Sequence, residues 1–185
     1  RQYGSGGSQV AKILAERMGV WCYDRDILTI AAERIGNEEL TEDTINDLNY
    51  KRNDVASAGI TGVMGMGNIP IYNQMFLEQA KIIRKLANYG SAVFLGRCAD
   101  YILKDIKNCT SVYLYADREF RKNRVKEIYG SNAEIMDKEE KNRADYYNYY
   151  TGNRWGDINN YDFAINTSKV SFEEAADLIY RFAKD

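Results

Sequence analysis

Histidine is absent from all 185 residues. That excludes Ser-His-Asp and Cys-His nucleophile systems and every His-ligated metal site. Cysteine is scarce and odd in number. Cys22, Cys98 and Cys109 lack paired metal spacing and fit a reduced, cytoplasmic setting, with the thiols as small core residues. No apolar run is long enough to span a bilayer, and none reads as a signal peptide. Neither sign of charge dominates: a net charge of -2 leaves no basic field for duplex nucleic acid. What chemistry remains rests on Asp, Glu, Arg, Lys, Tyr, backbone N–H groups or a hard cation held by oxygens. An apolar share of 45% is ordinary for a globular chain, so one domain with a proper core is expected over residues 1–185.

What is present begins with RQYGSGGSQVAKILAERMG. Val10, Ile13, Leu14 and Met18 recur at the spacing of one helical face, and Gly19 stops the helix. Gly4, Ser5, Gly6, Gly7 and Ser8 run directly into its first turn. A helix start carries unpaired N–H groups and the positive end of the helix dipole, and glycines let an anion approach them closely. A flexible Gly/Ser tail before an ordinary helix is the plainer alternative.

Further along, Trp21-Cys22-Tyr23 reads as a short strand, and Asp24 opens a helical pattern through Ile27, Leu28, Ala31 and Ile35. Residues 37–50 are polar and helical in pattern. Residues 51–72 hold four glycines and the one proline, Pro70, and read as a loop. Residues 73–89 form an amphipathic helix on Phe76, Leu77, Ala80, Ile83 and Leu86, with Gly90 placed as its C-cap. A buried strand, 92–95, breaks at Gly96-Arg97. Strand 111–116 precedes helix 117–129, with Asp117 placed as N-cap; helix 134–150 follows, then strand 162–166. Ser171 and Glu174 form a capping box for the last helix, 172–184. This alternation predicts a three-layer α/β/α fold with a parallel sheet.

In open parallel sheets, ligands bind beyond the carboxyl ends of the strands. The glycine loop, Asp24, Gly96-Arg97 and Asp117 all follow strand-like segments or adjoin them. Arg121 and Arg124 lie three apart on one helix, and Arg143 lies on the next, across a turn at Gly130-Ser131. Guanidinium groups match phosphate oxygens in bidentate geometry. A solvated helix face is the bland reading of Arg121 and Arg124, and N-capping that of Asp24 and Asp117. Tyr146, Tyr147, Tyr149 and Tyr150 read as packing rather than base stacking.

On these residues the chain resembles the cytidylate kinase-like family, a nucleoside monophosphate kinase branch of the P-loop NTPases. The matching stretches are RQYGSGGSQVAKILAERMG, WCYDRDIL, FLGRCADYIL, YLYADREFRKNR, NRADYYNYYTGNRWGD and YDFAINTS, in family order. The resemblance implies a P-loop fold with an acceptor-binding flap over 37–72 and an arginine-bearing lid over 117–150. It also implies a short apolar strand upstream of Arg1. The implied activity moves the γ-phosphoryl of ATP, with Mg²⁺, to a nucleoside monophosphate, CMP or dCMP first. The implied partner is thus a small-molecule nucleotide, with neither nucleic acid nor membrane and with self-association left open.

Residue by residue, the resemblance places Gly4, Ser5, Gly6, Gly7 and Ser8 around the donor phosphates, with Ser8 as the Mg²⁺ ligand. Asp24 falls at the monophosphate pocket, and Arg97 on the acceptor phosphate. Arg121, Arg124 and Arg143 match the lid, and Asn166, Thr167 and Ser168 lie near the donor base. Two departures stand out. The pattern G-x-x-x-x-G-K-[ST] wants lysine where Gly7 stands, and the aspartate usual before Gly-Arg is Leu95. Arg1, at the first-glycine position, is the residue that can supply the lost charge; Asp24 and Asp100 are the carboxylates left for the metal. Two alternatives stay open: a kinase of this fold with another small acceptor, and a non-catalytic nucleotide-binding protein. A purely structural domain leaves the glycine loop and Arg97 unexplained.

Overall fold

The structure is a computed structural model that describes residues 1–24, 27, 29, 30, 71–130 and 133–184. Most of the helix expected from Asp24, the segment 37–50 and the glycine-rich stretch 51–70, hence nearly all of the expected flap, lie outside the described residues.

Helix α1 (Gly7–Met18) follows the glycine loop. Gly19 ends it in the left-handed conformation, φ 64°, with its N–H on the Glu16 carbonyl and the Val20 N–H on the Ala15 carbonyl. That double closure satisfies carbonyls that a helix end otherwise leaves open. Strand β1 (Trp21–Tyr23) pairs in parallel with β2 (Ala92–Phe94), Cys22 opposite Val93. Between them in sequence, α2 (Ile71–Tyr89) starts directly after Pro70. Its buried face is Met75, Gln79, Ile82 and Ile83, while Leu77, expected inside, is about half exposed. Gly90 follows α2 with its N–H on the Leu86 carbonyl but without left-handed backbone, so it ends the helix without forming the expected cap.

After β2 comes the one-turn helix α3 (Ala99–Ile102), then β3 (Val112–Tyr115), α4 (Arg118–Tyr129) and α5 (Ala133–Thr151). Strand β4 (Phe163–Asn166) runs parallel to β3, Leu114 opposite Ile165, and α6 (Phe172–Lys184) completes the described chain. Asp117 occupies the N-cap position of α4 but makes no capping bond; its carboxylate accepts from Asn166 Nδ2 and pairs with Lys169. The Ser171 hydroxyl does cap α6, accepting the Glu174 N–H at 3.1 Å. No helix of the described residues is long and apolar enough to cross a membrane.

The chain is thus mixed α/β, mostly helical, and its described strands are all parallel. They form two separate pairs rather than the single sheet that alternation predicts. No ladder joins β2 to β3. Side chains join them instead: Val93 packs against a core of Val10, Leu14, Leu114, Ile165, Ala175, Ala176 and Ile179. Ala175 and Ala176, fully buried, keep the α1–α6 contact close. A second core gathers Met75, Ile82, Ile83, Cys98, Ile102, Tyr146 and Tyr147. Three of the four tyrosines are packing, as expected, and Tyr149 is about half exposed: the Tyr150 ring stacks on Phe76 at 4.0 Å, Tyr146 meets Phe76 edge-on and Tyr147 is buried in this core. Of the cysteines only Cys98 is buried; Cys109 is exposed, in the loop before β3, and is no core residue.

Thr167, at the end of β4, is 1% exposed and lies 2.6 Å from the Ser5 carbonyl and 3.0 Å from that of Tyr115. Its one hydroxyl proton serves one acceptor at a time. Thr167→Val keeps the shape and strands a buried acceptor. We expect a loss of about 1–3 kcal/mol, read as a lower urea midpoint at unchanged slope.

Candidate functional site

The glycine loop is held in place by partners from across the chain. The Gln2 N–H donates to the Leu114 carbonyl at 2.8 Å, and the Gln2 side-chain oxygen accepts the Ala116 N–H. The Tyr3 N–H donates to Glu140 Oε2 at 2.7 Å. The Ser5 hydroxyl, fully buried, turns inward to the Gln2 carbonyl. Gly6 is left-handed at φ 81°, and a Cβ there would lie 2.4 Å from the Phe172 ring. Only glycine fits that turn, from which the chain enters α1, with the Gln9 and Val10 N–H groups on the Gly6 carbonyl.

The arginines from α4 and α5 converge on this loop. Arg121, 9% exposed, donates from Nε to the Ala116 carbonyl and from a terminal nitrogen to the Tyr3 carbonyl at 3.3 Å. Arg143 donates to the Arg1 carbonyl at 3.1 Å and lies over the Tyr3 ring. Arg124 donates to Gln9 Oε1 at 2.6 Å and stacks on Phe172. None of the three is a solvated charge on an open face.

Arg97 reaches the same region by strain. Gly96, Arg97 and Cys98 are consecutively left-handed, at φ 77°, 61° and 55°. For Arg97 and Cys98 this costs on the order of 1–2 kcal/mol each. The turn carries the chain from β2 into α3, with the Ala99 N–H on the Gly96 carbonyl and Arg97 only 3% exposed.

A cavity of about 690 Å³ opens where these pieces meet. Its apolar part runs between the strand pairs, with Val93 and Leu95 on one wall and Val112 and Leu114 on the other. Its polar part holds Gly7, Arg1, Arg97, Asp100 and Arg143, with Lys107 further along. Four cationic side chains thus face one carboxylate, in a chain whose net charge is -2. Arg1 is paired with Asp24, and the cations that remain in excess favour an anion in the cavity.

Asp100 is the exception in that wall. It accepts the Tyr147 hydroxyl at 2.6 Å. Burial pushes its carboxyl above the usual carboxylate range, and the Tyr147 bond offsets this in part. Burial likewise pushes the Tyr147 and Tyr161 hydroxyls up.

The expected site residues therefore divide. Arg1, Gly7, Arg97, Asp100 and Arg143 share the cavity. Asp24, at the end of β1, joins it through Arg1, whose guanidinium lies 3.6 Å from its carboxylate. Gly4, Ser5 and Gly6 form the loop behind it, and Ser8 opens the second residue of α1. Arg121 and Arg124 hold the loop and α1 and are not among the lining residues. Thr167 is committed to backbone carbonyls, and Ser168 to Asn166. The sequence reading missed Glu140. Its carboxylate accepts the Tyr3 N–H and the Trp155 indole N–H and lies 3.9 Å from Arg121, tying loop, α4 and α5 together. In the charged run DKEEK nothing distinguishes that acid from its neighbours.

The raised Asp100 carboxyl has a stability consequence. The folded chain holds that proton more tightly than the unfolded chain does. Its contribution is therefore most favourable at acid pH and is lost as pH rises through the raised pKa. Asp100→Asn keeps an acceptor for Tyr147 and removes the charge. We expect the variant to melt above the parent near neutrality, with the advantage shrinking as pH falls below the usual carboxylate range. Melting temperatures of both proteins across pH check this, and a pH-independent difference would contradict it.

Comparison with known proteins comes down on the same side. The profile of the cytidylate kinase-like family matches residues 1–169. Among curated proteins none matches the chain significantly. The crystal structure of an uncharacterized protein from Eubacterium ventriosum is similar over the whole chain, with a TM-score of 0.72 and 28% identity, covering 100% of this chain and 95% of that one. The chain belongs to the cytidylate kinase-like family, which points to a nucleotide kinase-like function.

Proposed function

We propose that this protein is an ATP-dependent phosphotransferase that moves the γ-phosphoryl group to a nucleoside monophosphate, with CMP or dCMP the first candidates. The observation that carries the reading is the trio Arg1, Arg97 and Arg143, which lines the cavity together with Gly7 at the start of α1, within an acidic chain. In this reading the fold is a three-layer P-loop kinase. The Gln2–Leu114 bond, which sets the glycine loop beside β3, supports that fold.

In this reading each part of the site takes a role. Donor phosphates meet the N–H groups at the start of α1. The Arg1 and Tyr3 carbonyls, which would repel phosphate, are occupied by Arg143 and Arg121. Arg97 takes the acceptor phosphate, whose oxygen attacks the γ-phosphorus while the bond to ADP breaks. Such transfer needs little covalent help from the protein; positioning and charge neutralisation supply most of the rate. The described residues contain no cluster of three or more acidic or thiol side chains able to hold a metal. Mg²⁺ would be carried in on the nucleotide, with the Ser8 hydroxyl and the Asp24 and Asp100 carboxylates the groups left to hold it. The ion would neutralise phosphate charge.

ADP release from Mg-ATP tests the proposal, run against nucleoside monophosphates, nucleosides and no acceptor. Release that depends on CMP or dCMP supports it. Release with another acceptor moves the substrate and keeps the mechanism. Tight ATP binding without turnover would mark a nucleotide-binding protein instead. For Arg97→Ala we expect the acceptor KM to rise about 10- to 100-fold, as loss of a charged hydrogen bond predicts, with ATP affinity nearly unchanged. Equal loss of both, measured by steady-state kinetics and calorimetry, would remove Arg97 from its assigned place.

A further inference from the structure

The glycine loop departs from the P-loop pattern at two positions: Arg1 stands for the first glycine and Gly7 for the lysine. In the folded chain these two departures touch. A Cβ built on Gly7 would lie 2.6 Å from Arg1 Cδ, 2.9 Å from its Cβ and 3.2 Å from its Cγ. The stem of Arg1 thus occupies the space that any side chain at position 7 would need. Gly7 has no left-handed backbone, so conformation does not demand glycine there; the neighbour does. Beyond that stem the guanidinium lies 3.6 Å from Asp24, its side chain 11% exposed, and both Arg1 and Gly7 line the cavity.

We propose that Arg1 is the phosphate-neutralising cation of this glycine loop, laid across Gly7 in place of a lysine, and that position 7 is glycine because Arg1 requires the room. The two departures are then one exchange in space: the charge enters from the front of the loop instead of from the helix. The exchange alters the chemistry as well as the origin of the charge. A guanidinium offers a planar fork to two phosphate oxygens, where an ammonium is a point charge. Asp24 pairs with that fork and holds it at the end of β1. The inference rests on the donor-phosphate reading above and names the residue on which donor affinity depends.

The test is a double-mutant cycle in the full-length protein: Arg1→Ala, Gly7→Lys and the two combined. Mg-ATP and AMP binding are measured by calorimetry, alongside melting temperatures. Arg1→Ala should weaken Mg-ATP about 10- to 100-fold, the loss expected for a charged hydrogen bond, and leave AMP within about twofold. Gly7→Lys alone should melt below the parent, because two stems contend for one space. The double variant should melt above Gly7→Lys and bind Mg-ATP at least about tenfold more tightly than Arg1→Ala, a coupling that independent sites do not show. Additive effects, or equal losses for ATP and AMP in Arg1→Ala, would overturn the proposal. A parent protein that binds no nucleotide would sink the kinase reading itself. In that event the melting temperatures still judge the shared space: Gly7→Lys as stable as the parent overturns it.

Discussion

The backbone of residues 1–6 is bonded to distant parts of the molecule at nearly every step, and the candidate site exists because of it. Gln2 is tied to β3, Tyr3 to Glu140 on α5, and Ser5 to Thr167 after β4. Arg121 and Arg143 bind the carbonyls of Tyr3 and Arg1. A glycine loop left to itself loses more conformational entropy on ordering than any other kind of segment. Here that cost is offset by bonds to charged or buried partners, which are stronger than exposed ones. The loop is a fixed surface whose carbonyls are occupied, with the first turn of α1 standing behind it.

From that constraint the electrostatics follow. Side chains that hold the loop are also those that set the potential beside it. Arg143 does both, since it binds the Arg1 carbonyl and lines the cavity. Arg97 arrives from the other strand pair on a backbone turn that no favourable propensity explains. Strain of this kind persists where the surroundings over-determine it, here between a paired strand and a short helix. Asp24 opposes that field through its pair with Arg1, and Asp100 opposes it from the cavity wall, where burial keeps it easier to protonate than an ordinary carboxylate.

Much of the fold was legible along the chain. Period and stop signals located α1, α4, α5 and α6 to within a residue or two, and all four described strands, because each is decided by neighbours close in sequence. The face that α2 buries was read less well: Leu77 is outside and Gln79 inside, since what a helix buries depends on the elements it meets. Capping at Asp117 failed for a similar reason. Asn166 and Lys169, far along the chain, claim its carboxylate. The strands were expected to be parallel, and the described ones are; that they form two pairs, with no ladder between β2 and β3, is a matter of strand pairing, a non-local choice that alternation does not make.

At the site the same division holds. Sequence alone determined that a glycine loop precedes a helix and that Arg97 follows a strand. It also showed that Arg121, Arg124 and Arg143 lie on successive helices and that no histidine takes part. These are matters of residue type and spacing, and local physics reads them. Only the tertiary structure decided which of those arginines line a cavity and which hold the loop. Only it selected Glu140 from a run of acids and placed the stem of Arg1 over Gly7. Each of these depends on contacts between residues far apart in the chain, and no pattern along the chain encodes the distance between them.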